Sequence, residues 1–339
     1  MTLRLIRSLA EANAFDPTPK YSDVGVYHVR FESMGTGVQV ESRLLDGALR
    51  GERIALIADS GCGKTSVVSH VFGPTTEQVA PILVPVRSLE EEATKAEQVA
   101  DSILSQLRRQ AEESGRLAPD TGSRLGRHRH VTNVNRRSKS FATPRWLANA
   151  NLASQIEQQI TTTESNTLEE KIDVIRLCLN SIRNDSLMPV FVFDDTDRWT
   201  VGSDDSTIEG FFGEAIRWLA EMDAAVVVAT HSRYLDAGLG DPELLTFLDT
   251  RVRLPRVPTA RDLASILDRR VQFRLNGHDP NERLDAVVDW SAIEELFSEY
   301  QEGASIRKVM QLAHIALVET VDVCADKITG RAIKAAVQT

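Results

Sequence analysis

The sequence predicts an α/β fold, a doubly wound parallel sheet followed by a small all-helical domain, and three observations carry that reading. Short apolar runs alternate with helix-period segments between about residues 53 and 257; the first of these runs ends in a glycine-rich turn that opens a helix; and beyond Pro258 the strand pattern stops. With 339 residues, 42% of them apolar, the chain can build one large or two ordinary domains around a sizeable core.

In chain order, "LRLIRSLAEANAF" has amphipathic spacing and reads as a short helix of an N-terminal extension, residues 1–34, packed on the sheet domain or, in the other reading, adding a docking contact. "RIALIA" (53–58) is an apolar strand, and "KTSVVSHVF" after the turn continues at helical spacing. "PILVPVRS" (81–88) is a second strand, after which Ser88 and Glu91 form a capping box for a helix through about Arg109. Thr167 and Glu170 make another box ahead of "LEEKIDVIRLCLNSI", which leads into the apolar "PVFVF" and the acidic turn "DDTDRW". "STIEGFFGEAIRWLAEM" reads as an amphipathic helix, and "AAVVVATH" (224–231) and "TRVRLP" (250–255) as two more strands. The core domain is thus expected over 35–257. The segments "TARDLASILDRRVQF", "SAIEELFSEY", "ASIRKVMQLAHIALVETV" and "TGRAIKAAV" are helices of a domain over 258–339.

One stretch of the core, about 114–145, lacks periodicity, is rich in Arg and Lys and holds only Asp120 as an acid, so it reads as a flexible basic insertion. A net charge of −10 argues against a surface that binds DNA throughout, while leaving room for this local patch. Arg127, Arg129, Arg136, Arg137 and Lys139 are its candidate contacts to phosphates of a nucleic acid or to an acidic partner; a solvated linker is the other reading. The three cysteines, Cys62, Cys178 and Cys324, have no metal-type spacing and fit a reducing cytoplasm. The N-terminal apolar run is too short for a signal peptide and no later segment reaches membrane-spanning length, so no membrane contact is expected.

The turn Ala58-Asp59-Ser60-Gly61-Cys62-Gly63-Lys64-Thr65 nearly spells a phosphate-binding loop. Successive backbone N–H groups of such a loop curl around an anion at a helix N-terminus, where the helix dipole adds favourable potential. The candidate cradle is Ser60, Gly61, Cys62, Gly63, Lys64, Thr65 and Ser66. Lys64 is assigned to the outer phosphates and the Thr65 hydroxyl to magnesium. The glycine expected first in the loop is Ala58, which fits if its φ is negative. Cys62, at a helix N-terminus, is either a small loop residue or a thiol with a lowered pKa. "VFVFDDTDRW" sets two carboxylates at the end of an apolar strand: Asp194 to hold magnesium through water, and Asp195 to orient and polarise the attacking water.

These two motifs resemble the AAA+ and STAND branch of the P-loop ATPases, particularly bacterial relatives of origin-recognition-type initiators, over about residues 35–320. "DDTDR" is similar to the Walker B motif of the KAP ATPases. Alanine at the first loop position also occurs in STAND proteins. The resemblance implies ATP and Mg2+ as ligands, with a polar strand-end residue sensing the γ-phosphate: Thr230 or His231, of which His231 is favoured. It implies an arginine at the start of a lid helix, matched by Arg307 in "GASIRKVM", and a finger arginine near the last strand, matched by Arg251 with Arg253 and Arg256 as competitors. Arg198 reads as pairing within its own turn. The second acid is Asp where AAA+ hydrolases usually have Glu, which implies slower turnover. The lid is not followed by the winged-helix module of the initiators, so independent sequence-specific DNA recognition is not expected. The expectation is therefore a cytoplasmic ATPase that couples Mg-ATP to lid motion and self-assembly. The alternative is a slow STAND-like switch acting with a separate effector protein, as in phage defence, transposition or chromosome maintenance.

Overall fold

The computed structural model describes residues 2–19, 21–73, 76–85, 95–113, 167–194, 196, 205–236, 246–275 and 283–338. The basic insertion with Arg127, Arg129, Arg136, Arg137 and Lys139, the Ser88–Glu91 box, Asp195 and Arg198 lie outside the described residues. The elements run α1 (Thr2–Glu11), α2 (Val40–Leu49), β1 (Arg53–Ile57), α3 (Lys64–Val71), β2 (Val79–Pro85), α4 (Ala96–Glu113), α5 (Leu168–Asn184), β3 (Met188–Asp194), α6 (Asp205–Gly210), β4 (Ala225–Thr230), β5 (Thr250–Arg253), α7 (Ala260–Arg274), α8 (Trp290–Gln301), α9 (Ile306–Asp322) and α10 (Gly330–Gln338). They form two compact units. One is Ser42–Ala58 with Val71–Arg253; the other is Met1–Glu41, Asp59–His70 and Leu254–Thr339.

The first unit holds a five-stranded, all-parallel sheet in the order β2-β3-β4-β1-β5. Ile54 to Ile57, Met188 to Phe193 and all of β4 are buried, so both faces of the inner strands are covered. That is why these strands read as continuous apolar runs and not as alternating ones. On one face Ile82, Phe191, Phe193 and Val228 pack with Ile103 and Leu107 of α4 and Ile175 and Leu179 of α5. The predicted box opens α5: Thr167 Oγ accepts the Glu170 amide and the Glu170 carboxylate accepts the Thr167 amide at 3.1 Å. The segment 206–222 is not one amphipathic helix. It breaks into α6, a π turn over Phe211–Ala215 and a 3-10 turn over Arg217–Glu221. Gly210 and Gly213 favour the helix weakly, and the wider turn lets the consecutive Phe211 and Phe212 both enter the core.

The second unit is helical. α8, α9 and α10 pack on one another, and Gly330 at the start of α10 lies so close to α8 that a Cβ there would stand 2.9 Å from the Ser291 carbonyl. Within the helical unit α1 buries Ile6 and Leu9 and packs on α9. Amphipathicity specifies that a face is buried but not against what. After α1 the chain runs along α7, where Arg270 donates to the Asp16 carbonyl and Arg269 to the Val26 carbonyl at 3.0 Å. The Tyr27 ring is held there between Arg270, 5.0 Å from its centroid, and the edge of Phe273. No described helix is long and apolar enough to cross a membrane.

Tyr27 anchors this segment through its ring alone, because its buried hydroxyl has no hydrogen-bond partner among the described residues. Tyr27→Phe is therefore expected to leave urea stability within about 0.5 kcal/mol of wild type or to raise it. Tyr27→Ala should lower it by about 3–5 kcal/mol.

Candidate functional site

The loop leaves the sheet at Ala58, whose amide donates to the Thr230 carbonyl at 3.2 Å. Among the described residues the non-glycine positions with positive φ are Asn13, Ser186 and Cys324, so alanine sits at 58 without backbone strain. Gly61 and Gly63, at φ +76° and +101°, occupy the left-handed region that costs other residues about 1–2 kcal/mol. The turn closes through the Cys62 amide on the Asp59 carbonyl, and α3 begins at Lys64 with Val67 N–H on Gly63 O at 3.0 Å. Lys64 is 5% exposed, and its ammonium donates to the Asp59 carbonyl at 3.0 Å, so the charge is folded onto the loop itself. Ser60, Cys62, Gly63 and Thr65 complete the loop around the N-terminus of α3, the positive end of the helix dipole.

Arg307 is brought to this loop. Its amide donates to the Gly61 carbonyl at 3.2 Å, one residue inside the start of α9, where Ser305 caps the helix by accepting the Lys308 amide. A Cβ on residue 61 would lie 2.7 Å from Ser305 Oγ and 3.0 Å from Arg307 Cβ. Gly61 thus answers two demands, a left-handed turn and the close approach of a second helix N-terminus.

In the sheet unit, Ile57, Asp194 and Thr230 end three neighbouring parallel strands, β1, β3 and β4, on one edge. Asp194 is half-buried and stands opposite Pro85. Thr196, which the sequence reading passed over inside "DDTDR", is fully buried and donates to the Ala229 carbonyl at 2.6 Å, while the Tyr234 hydroxyl donates to the Thr196 carbonyl. The first of these bonds ties Thr196 to the end of β4. Thr230 is buried and its hydroxyl has no partner among the described residues. His231 Nδ1 accepts the Arg233 amide at 3.0 Å and so caps the helical turn Arg233–Asp236. Arg251 is exposed on the edge strand β5, opposite Ala55, and Arg253 is exposed on the same strand. Arg256 lies over the Tyr300 ring at 4.6 Å and donates to the Tyr300 carbonyl, a local role.

Behind the loop helix lies a buried polar cluster with no signal in the sequence. His28 Nε2 and the Phe31 amide both donate to Glu41 Oε1 at 2.8 Å; His28 Nδ1 shares a hydrogen bond with Ser66 Oγ at 3.1 Å. Ser66 Oγ also donates to the Val24 carbonyl, and the His28 ring lies against the His70 ring, centroids 4.7 Å apart and planes tilted by 34°. Burial alone raises the Glu41 carboxyl, but the bonds from His28 and Phe31 more than offset it and it lies below its ordinary 4.5. Burial, with the neighbouring His28 ring, holds His70 below its ordinary 6.5.

The parallel sheet, the loop between β1 and α3 and the helical C-terminal region define an AAA+-like P-loop NTPase fold. Among solved structures the chain is similar to the Aeropyrum pernix ORC1 protein in complex with DNA, at 14% identity and a TM-score of 0.48, over 92% of this chain and 65% of that one. It is also similar to the Aeropyrum pernix ORC2 protein in ADPNP-ADP complexes (13%, TM-score 0.49, 92% and 68%) and in the ADP form (13%, 0.48, 88% and 67%). The chain spans about two thirds of the length of these proteins. No family model matches it, and no curated protein matches it by sequence.

Gly63 has nothing within 4 Å of its would-be Cβ, so Gly63→Ala bears only the backbone term, about 1–2 kcal/mol, whereas Gly61→Ala adds the collision with α9 and should be destabilised by about 1–3 kcal/mol more in urea unfolding. For His70 and Glu41 both folded-state values are depressed, so the unfolded chain binds more protons as pH falls and stability is lost in two limbs, below 6.5 for His70 and below 4.5 for Glu41. Urea midpoints measured across this range should show both limbs in wild type, and the upper limb should flatten in His70→Gln.

Proposed function

We propose that the chain binds Mg-ATP at the loop and hydrolyses the γ-phosphate, with the first turn of α9 reporting what the loop holds. The observation that carries this reading is the bond between Gly61 and Arg307: a left-handed glycine loop at one helix N-terminus is tied to the first turn of a second helix that bears an arginine. Amides of the Ser60-to-Ser66 segment cradle the phosphates, and the Lys64 ammonium exchanges the Asp59 carbonyl for the outer phosphates. Arg307 adds a second cation at the loop. Thr65 and Asp194 offer hard oxygen ligands of the kind magnesium takes together with phosphates and water. Among the described residues no three His, Cys, Asp or Glu side chains form a metal cluster, and a magnesium ion shared with nucleotide phosphates requires none. When bound, the ion neutralises charge on the phosphate oxygens. Asp195 orients the attacking water, His231 or the buried Thr230 senses the γ-phosphate, and Arg251, exposed on an edge strand, is offered to the nucleotide of a second copy.

A second reading is a slow nucleotide-gated switch that serves a separate effector. It is favoured by Asp195, one methylene shorter than the usual glutamate. Steady-state phosphate release well below about one per minute, with nucleotide retained through purification, selects the switch. Specific activity that rises with protein concentration selects the assembling ATPase. Contact of the basic residues 127, 129, 136, 137 and 139 with nucleic acid belongs to either reading; replacing all five by Ser is expected to weaken binding and flatten its salt dependence.

Lys64→Ala removes the charge assigned to the outer phosphates and should weaken Mg-ATP binding by roughly 10–100-fold in isothermal titration. Asp195→Asn should bind within about threefold of wild type while phosphate release is lost. Two variants that both bind ATP as wild type does would overturn the site.

A further inference from the structure

We infer that His28 is a positioning residue for the phosphate loop, coupling the buried Glu41 carboxylate to Ser66 and so fixing the first turn of α3, on which Thr65 rides. The inference rests on the nucleotide reading above and adds to it a residue from outside both motifs.

The geometry is built from several contacts within one compact unit. Lys64, Thr65 and Ser66 are the first three residues of α3. The Ser66 hydroxyl is taken up by the N-terminal segment, through the Val24 carbonyl at 3.3 Å and His28 Nδ1 at 3.1 Å. Ser66 and His70 are four residues apart and share one helix face, and the His28 ring meets both. At Gly25 the segment presses directly on α3, where a Cβ would stand 2.8 Å from the Ser69 carbonyl. His28 is 9% and Glu41 4% exposed. A buried pair of this kind adds less stability than apolar side chains of the same volume, and the strongest attested use of such pairs is to fix register. Here the register in question is that of Ser66, the residue next to the Thr65 hydroxyl. Glu41 Oε1, already holding the Phe31 amide, fixes the ring through Nε2, and the fixed ring then presents Nδ1 to the helix.

The test is the affinity for ATP, with magnesium and with EDTA, of the full chain as wild type, His28→Ala, Ser66→Ala and the double variant. Misplacing Thr65 should weaken ATP about tenfold in magnesium and less than about twofold in EDTA, in each single variant, with the double variant no worse than either. His28→Gln, whose amide can serve both neighbours, should recover to within about threefold of wild type. Losses that add in the double variant, or that are equal with and without magnesium, would overturn the inference, because a merely structural histidine gives that result. Should His28→Ala fail to fold, Ser66→Ala decides alone, since it leaves the Glu41–His28 pair in place: wild-type affinity in magnesium would overturn the inference. A wild-type chain that binds no ATP in either condition overturns the nucleotide reading itself, and the two failures are thereby distinct.

Discussion

Residue 61 has no room for a methyl group, and the close approach of the first turn of α9 depends on that. Its left-handed backbone turns the loop into α3, and its bare Cα admits Ser305 and Arg307. The loop amides at one helix N-terminus and the Arg307 amide in the first turn of another meet here, so the positive ends of two helix dipoles face a few backbone atoms. The nearest carbonyls are engaged there: Asp59 O receives the Lys64 ammonium and Gly61 O the Arg307 amide. The same unit ties the other side of α3 to the segment around Val24 to His28, which is itself held to α7 by Arg269 and the Tyr27 ring. Within that short segment Val24, Gly25 and His28 serve α3, while Val26 and Tyr27 serve α7.

The sheet unit solves a different problem, that of presenting polar groups from strands buried on both faces. Parallel strands deliver their carboxyl ends to one edge, and only there do the runs through Ile57, Phe193 and Ala229 give way to Ala58, Asp194 and Thr230. Just beyond Asp194, Thr196 is bonded to the Ala229 carbonyl of β4 and to the Tyr234 hydroxyl, both out of reach of water. The identity of Thr196 in "DDTDR" is accounted for by these bonds and requires no contact with substrate.

The sheet was legible because burial on both faces writes itself as unbroken apolar runs, and the loop because glycine at 61 and 63 next to Lys64 is rare without a reason. The box at Thr167 was legible for the same local cause, a side chain bonding an amide three residues on. What escaped depends on distance along the chain. Glu41 is 13 residues from His28 and His28 is 38 from Ser66, separations that no periodicity marks. The packing of α1 on α9 was not legible, because an amphipathic face is silent about what covers it. The break at Phe211 was missed because hydrophobic spacing alone does not separate an α turn from a wider one, although Gly210 and Gly213 flank it. Nothing in the local pattern around Arg307 marks its approach to the loop, which depends on the bare Cα of Gly61, roughly 250 residues away along the chain.

β2 is an edge strand among the described strands, and it carries Pro81 and Pro85. Both lie at the same parity, so the two missing amide hydrogens fall on one side of the strand, and the ladder with β3 continues past them on the other. A further strand laid against β2 would find two of its donors absent, which blunts this margin as a template for uncontrolled sheet growth. β5, the opposite margin, has no proline in Thr250–Arg253 and is guarded instead by the outward charges of Arg251 and Arg253. The two margins therefore discourage β-mediated aggregation by different means, one by removing hydrogen-bond donors and the other by electrostatic repulsion.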